Sequence, residues 1–301
     1  MRTTVSLASP SKIFLFCILF FLSIVVWSST YVLSAQEDLI GGIQAIHPQS
    51  GETLLEVGLR YDMGYYEMAR ANPHIDLAAT LFEHNQIIIP SQFILPAAPR
   101  KGIVINLAEY RLYYFPPDDN VVITMPVGIG RKGWQTPIGQ TKVVSKERNP
   151  VWHPSAKLQA EAAKHGTLLP NEFPAGEDNP LGKHLLRLGW STYLIHGTNR
   201  PEGVGAQVSA GCIRMLPEDI EYLFNHVTVG TSVLVVNQPV KFGYLNNRLY
   251  VEIHPALGGH VSQNLAQLTK ERLTRLSLKG INYKVLQNEL NKPTGLPKRL
   301  T

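Results

Sequence analysis

The sequence predicts a mainly β protein: a β-sandwich domain over residues 101–237, a small βααβ module over 44–90 and a short α+β extension over 240–301. Three observations carry this. Between Lys101 and Pro239, short β-type runs ("GIVINLAEYRLYYFP", "VVITMPVGIG", "TKVVSKE", "STYLIHG", "TSVLVVNQP") alternate with Gly, Pro and Asn turn signals. Helical apolar spacing dominates the two flanks instead. Hydrophobic content of 44% against 17% charged residues is that of a chain with a buried core, and 301 residues suggest about two domains.

The elements follow in order. Arg2 and Lys12 precede the uncharged apolar run "IFLFCILFFLSIVVW", Ile13 to Trp27, and small and polar residues follow it. This is the pattern of an export signal over residues 1–35 with cleavage after Ala35; an uncleaved anchor is the alternative. Either places residues 36–301 outside the cytoplasm. Cleavage would remove Cys17 and leave Cys212 alone, which excludes an internal disulfide and makes a poor zinc site. A lone thiol can be reactive or simply a small buried hydrophobe. The net charge of +5 comes from scattered basic residues with no aromatic interleaving, which argues against nucleic acid.

Residues 44–90 open on a turn at Ser50-Gly51 before "ETLLEVGLRYDM", with helical spacing at Leu54, Val57 and Leu59. A second helical stretch, "GYYEMARAN", stops at Asn72-Pro73, and "QIIIP" gives a short strand. The residues "SGETL", "NP" and "IIIP" in this order resemble a LysM module, a binder of cell-wall glycan; a helical cap on the next domain is the alternative. His84-Asn85 stands where such modules often have glycine. "FILPAAPRKG" reads as a Pro/Ala-rich linker. Within the β domain, residues 149–189 form an irregular insertion with one candidate helix, "SAKLQAEAAKHG", suited to a lid. After Pro239, "FGYLNNRLYVEIHP" reads as a hairpin turning at Asn246-Asn247, and an amphipathic helix ends at Gly280.

"GIGRKG", residues 128–133, matches G-x-G-x-x-G in letters only, because Trp134 and Pro137 follow where a dinucleotide site needs a helix. The chemistry lies in "YLIHGTNRPEGVGAQVSAGCIRM", residues 193–215. A β-run delivers His196; a Gly-rich loop then folds the chain back to Ser209, Gly211 and Cys212. An imidazole beside a thiol can generate the nucleophilic thiolate, and a helix starting near Pro217 would favour it further. The amides of Gly211, Cys212 and Ile213 are candidates for an oxyanion hole. Trp134, Trp152 and Trp190 can line a cleft or sit in the core; His153, His165 and His184 lack ligand spacing. No metal and no cofactor are expected.

Histidine, a spacer of this order, then Ser, a variable residue, Gly, Cys and Arg resembles the signature of YkuD-type L,D-transpeptidases, bacterial cell-wall enzymes with a β-sandwich catalytic domain. "GRKGWQTPIGQTKVVSKERNPVWHPS" and "LPNEFPAGEDNPLGKHLLRLGWSTYLIHGTN" are similar to segments of the Gram-negative periplasmic branch, so the resemblance covers about residues 101–237. It implies Cys212 as nucleophile, His196 as general acid/base, the Gly197 carbonyl as its orienting group, Ser209 as a nearby hydrogen-bond partner and Arg214 as a holder of an anionic substrate group. Ala210 departs from the second histidine of many members. The resemblance further implies a periplasmic location, peptidoglycan tetrapeptide stems and glycan as partners, and an amine that resolves a Cys thioester. That amine would belong to another stem, giving a 3-3 cross-link, or to an outer-membrane lipoprotein. With water as acceptor the chain would be an L,D-carboxypeptidase or thiol peptidase. A non-catalytic wall binder is the rival from another class.

Overall fold

The computed structural model describes residues 29–258, 264–276 and 280–301; the apolar run from Ile13 to Trp27 lies outside the described residues. The chain enters the fold earlier than expected. Strand β1 (Ser29–Val32) pairs antiparallel with Val121–Thr124, so the boundary expected at Ala35 falls inside a folded segment. Composition hid it, since "STYV" lies among the small and polar residues that read as the tail of an export signal.

The module follows as β2 (Leu39–Gly41), β3 (Gln44–Ile46), α1 (Leu54–Arg60), α2 (Tyr65–Ala71), β4 (Ile87–Ile89) and β5 (Gln92–Ile94). β3 and β4 pair antiparallel and bracket the two helices, the expected strand-helix-helix-strand order. Each helix has only seven residues and would not persist alone, so capping and burial hold it. Thr53 and Glu56 close a capping box on α1, while Leu54, Val57 and Met68 are buried with Ile87 and Ile89. Asn72, the residue of the "NP" stop, is itself buried and ties α2 to β4 through both ends of its amide, Nδ2 to the Ile88 carbonyl at 2.9 Å and Oδ1 from the Ile88 N–H at 2.8 Å. The expected linker is a correction: β5 pairs with β2, and Phe93, Ile94 and Leu95 are buried. Proline and alanine in "FILPAAPRKG" suggested slack, but three large apolar residues at its start outweigh them.

The central domain comprises β6 (Gly102–Asn106), β7 (Arg111–Phe115), β8 (Val121–Pro126), β9 (Ile129–Gly130), β10 (Gly139–Arg148), α3 (Ala156–Lys164), β11 (His184–Leu188), β12 (Leu194–His196), β13 (Gln207–Ser209), β14 (Ile213–Arg214), α4 (Pro217–His226) and β15 (Ser232–Val236). Nine strands form one sheet in the order β1-β8-β7-β6-β15-β10-β11-β12-β14. β10 turns it into a sandwich: it pairs with β15 over Gly139–Lys142 and with β11 over Val143–Arg148, with a register break between Val143 and Ser145. The two halves enclose one core, Ile105, Leu112 and Met125 from one side meeting Leu186, Ile195 and Ile213 from the other. All five residues of β7 are buried because the outer face of its half is covered too, Tyr113 and Phe115 joining the core of the module.

The extension consists of β16 (Val240–Leu245), β17 (Arg248–Ile253), α5 (Leu265–Leu276), α6 (Tyr283–Asn291) and β18 (Lys298–Arg299). The β16–β17 hairpin turns at Asn246 and Asn247, both left-handed at φ 50° and 56°, the type I′ geometry that the Asn-Asn pair predicts.

Candidate active site

β12 and β14 lie side by side and parallel, with Ile195 opposite Ile213 and His196 opposite Arg214. This register brings together two segments that the loop between them separates in sequence. His196 is buried, and its Nδ1 lies 2.6 Å from the Gly197 carbonyl oxygen. A carbonyl can only accept, so Nδ1 carries the proton and Nε2 is left with a lone pair. Cys212 and His196 both line a cleft of about 950 Å³, together with Ala210 and Arg214. The Cys212 Sγ lies 3.7 Å from the Thr192 carbonyl, a weak S–H contact.

The turn before Cys212 is tightly fixed. Ser209 is buried, and its Oγ donates to the Cys212 carbonyl at 2.6 Å while accepting the Gly211 N–H at 3.1 Å. Thr136 Oγ1 donates to the Gly211 carbonyl at 2.8 Å. Gly211 sits at φ +108°, and a Cβ there would lie 2.9 Å from Tyr193 Cε1. The glycine is therefore demanded by the turn and by Tyr193. One expected oxyanion donor is corrected: the Gly211 N–H is spent on Ser209, while Ile213 lies opposite Ile195 in the β12–β14 pair.

The insertion forms a wall of the cleft. Ser155 caps α3, and Glu161 on that helix accepts from Arg131 at 2.8 Å and from Trp134 Nε1 at 2.7 Å; Lys157 Nζ lies 3.9 Å from the Trp134 ring centre. Trp134, Trp152 and Tyr193 line the cleft, whereas Trp190 packs against the sandwich core. Sequence reasoning passed over Tyr193 and Thr136 and left Trp134 between cleft and core, since an aromatic or threonine between strands carries no local sign of which face it meets. His184 is buried with its ring 4.7 Å from that of Phe224, and His165 ends α3. "GIGRKG" is a turn folded onto itself: a Cβ at Gly130 would lie 2.0 Å from the Trp134 carbonyl oxygen. Arg214 Nε is buried without a hydrogen-bond partner at the edge of the cleft.

The sequence matches the YkuD family, the L,D-transpeptidase catalytic domain, over residues 100–235. It is 42% identical to the probable L,D-transpeptidase ErfK/SrfK of Salmonella typhimurium over 228 residues, 75% of this chain and 72% of that protein. It is 40% identical to the probable L,D-transpeptidase YbiS of Escherichia coli over 273 residues, 87% of this chain and 88% of that protein. The chain belongs to the L,D-transpeptidase family. It is an L,D-transpeptidase, an acyltransferase.

In this transpeptidase the resting electrostatics favour a neutral pair over a thiolate and imidazolium. Burial, then the Arg214 charge, lowers the His196 pKa to about 4, against a smaller opposing effect of the Gly197 carbonyl. Burial raises the Cys212 thiol, outweighing the help of the Leu194 backbone and Arg214. Desolvation outweighs the neighbouring cation, so the thiolate is generated by the imidazole during attack rather than held at rest. Alkylation of Cys212 by iodoacetamide should accordingly accelerate with pH through the alkaline range, from a slow rate at neutrality. A rate already on its plateau near neutral pH would contradict the neutral pair. Substitution of Gly211 is expected to be costly as well. Gly211→Ala forces a left-handed alanine against Tyr193, about 1–3 kcal/mol of strain. Turnover should fall about tenfold or more; unchanged steady-state kinetics would show that the turn tolerates a side chain.

Proposed function

We propose that the transpeptidase is a periplasmic enzyme that acts on peptidoglycan tetrapeptide stems through a thioester at Cys212. The observation that carries this is the His196 tautomer: with Nδ1 donating to Gly197, Nε2 is free to take the thiol proton within the cleft that holds Cys212. The Cys212 sulfur attacks the carbonyl carbon of the residue at stem position three as its proton passes to His196 Nε2. The Cys212 N–H, with that of Ile213, supports the tetrahedral oxyanion, the Gly211 N–H being spent on Ser209. The C–N bond then breaks, the D-alanine amine leaves with the proton from His196, and a thioester remains. An acceptor amine reverses the sequence, giving its proton to His196 and returning the thiol. Arg214, with its Nε unpartnered among the described residues, holds a carboxylate of the stem, and Arg200 adds positive charge to the same cleft.

The βααβ unit is proposed as a LysM-like glycan binder, on its order of elements and its "NP" and "IIIP" residues. Among the described residues no helix is long and apolar enough to cross a membrane, and the export reading rests on the run from Ile13 to Trp27. Disaccharide-tetrapeptides incubated with the enzyme should yield cross-linked dimers, or tripeptide conjugated to an added lysine-terminated lipoprotein peptide. Tripeptide alone, whether or not amine is added, would make water the acceptor. With no product from a folded protein that still binds glycan, the catalytic reading fails and wall binding remains.

A further inference from the structure

Two buried carboxyl groups lie together outside the catalytic cleft. Asp62, beyond the end of α1, is 6% exposed, and Asp219, in the first turn of α4, is 4% exposed. Among the described residues neither Asp62 oxygen nor Oδ2 of Asp219 has a close hydrogen-bond partner, and the two carboxyls face each other. Burial raises both carboxyl pKa values, that of Asp62 to about 6, and the charge of Asp62 raises Asp219 further. The nearby cation is Arg111, but its guanidinium is committed elsewhere, Nε and Nη2 to Glu67 at 2.6 and 2.8 Å, Nη1 to Thr124 at 3.3 Å and Nη2 to the Asp62 carbonyl at 3.1 Å. Arg111 is thus taken up by Glu67 and Thr124, Arg70 also acts on Glu67, and the Asp62–Asp219 pair sits in a dry site without a cation of its own among the described residues.

The Ser29 backbone N–H faces the Asp62 carboxyl. Ser29 begins β1, and β1 is built into the fold. Its four residues are in register with Val121–Thr124, and Leu33 continues the pairing through 2.9 Å bonds with Asn120 in both directions. Tyr31 and Leu33 pack on the module core, Tyr31 Oη donates to the Ser91 carbonyl at 3.3 Å, and Arg100 Nη1 donates to the Ser34 carbonyl at 2.9 Å. A cut after Ala35 would strip all of this and bare the β8 edge. Directly before Ser29 the sequence reads Val26-Trp27-Ser28, which closes the apolar run with a small residue at the position that leader removal requires.

We propose that the export leader is removed between Ser28 and Ser29, and that the α-ammonium so created pairs with the Asp62–Asp219 site. A leader peptidase adds water across that peptide bond; the Ser28 carboxylate departs with the leader, and the Ser29 amine takes up a proton, as a free α-amine does at neutral pH. The new terminus links the module, through Asp62, to α4, through Asp219. Processing thereby fastens the helix that follows the Cys212 strand.

The proposal rests on the export reading, and its test separates the two. The full chain is produced with its own leader in a Gram-negative host, and the mature N-terminus is read by intact mass. A mature chain starting at Ser29 is expected. A start at Gln36, or at another internal residue, overturns the proposal and leaves export standing; an unprocessed chain starting at Met1 overturns both. The chain starting at Ser29 is then compared with its α-acetylated form. Acetylation should lower Tm by roughly 3–10 °C, and the difference should vanish in Asp62→Asn/Asp219→Asn. Equal Tm values for the free and acetylated chains would overturn the amine–carboxylate pairing.

Discussion

His196→Gln is expected to lower kcat about 10³-fold while leaving the melting temperature within a few degrees of the parent. Glutamine approximates the size of the ring and can still donate to the Gly197 carbonyl, but it cannot accept the thiol proton. The effect should be large because the thiol of this enzyme is held protonated by burial, so attack needs a base at the moment of bond formation. An enzyme with a resting thiolate would lose less. The imidazole, at a pKa of about 4, is already in its basic form above that pH, so kcat/KM should not decline as pH falls from 7 to 5 on account of His196. A loss smaller than tenfold in His196→Gln would show that another group takes the proton.

The second large effect concerns stability. Lys241 is buried, and its Nζ lies 2.5 Å from Glu109 Oε2, 2.8 Å from Glu252 Oε1 and 2.5 Å from the Ile94 carbonyl. Glu109 also accepts from Asn106 at 2.7 Å and Tyr113 at 3.0 Å, and Glu252 accepts from the Ile94 N–H at 2.6 Å and pairs with His254 at 2.6 Å. Burial would depress the ammonium, but the two carboxylates together hold its pKa above the ordinary lysine value. Burial meanwhile raises both glutamates, against the pull of Lys241. The ligand-type cluster Glu109, Glu252 and His254 therefore already holds its cation, the lysine's own.

Lys241→Met keeps the stem and removes that charge, leaving two acids in a dry site, at a cost of about 3–5 kcal/mol. The penalty has a definite pH dependence. In the variant the folded-state glutamate pKa values lie above their unfolded values, so folding takes up protons and the variant regains stability as pH falls toward 5. Denaturant midpoints for both proteins at pH 8 and pH 5 measure this directly. A pH-independent difference, or one below 1 kcal/mol, would mean that water or repacking satisfies the acids. The network joins the turn before β7, β5, β16 and β17, so the same variant should loosen the extension from the sandwich.

The parts of this fold that sequence exposed are those whose signal is local. Asn246-Asn247 specified a hairpin because both residues tolerate φ > 0, Pro217 marked the start of α4, and Ser155 with the alanine-rich stretch after it marked α3. The nearness of His196 to the Cys212 segment was legible because one loop returns the chain to a neighbouring strand, and the Gly197 carbonyl lies 2.6 Å from the His196 Nδ1. Long-range burial was not legible. Glu109 and Lys241 are 132 residues apart and read individually as surface charges. The buried partner of Arg111 is Glu67, on another module. β1 was lost to the composition of its neighbour, and the oxyanion assignment changed because Ser209 claims the amide that the glycine seemed to offer.

The central claim is that Cys212 carries the acyl group. Intact-protein mass spectrometry of the enzyme quenched in acid after brief exposure to a tetrapeptide stem tests it most directly. The expected result is an adduct of acyl-tripeptide mass that maps to the peptide containing Cys212 and is discharged by hydroxylamine, with no adduct on Cys212→Ala. Wild-type protein that turns over stem peptide without any such adduct, or a Cys212→Ala protein that still turns it over, would contradict the account.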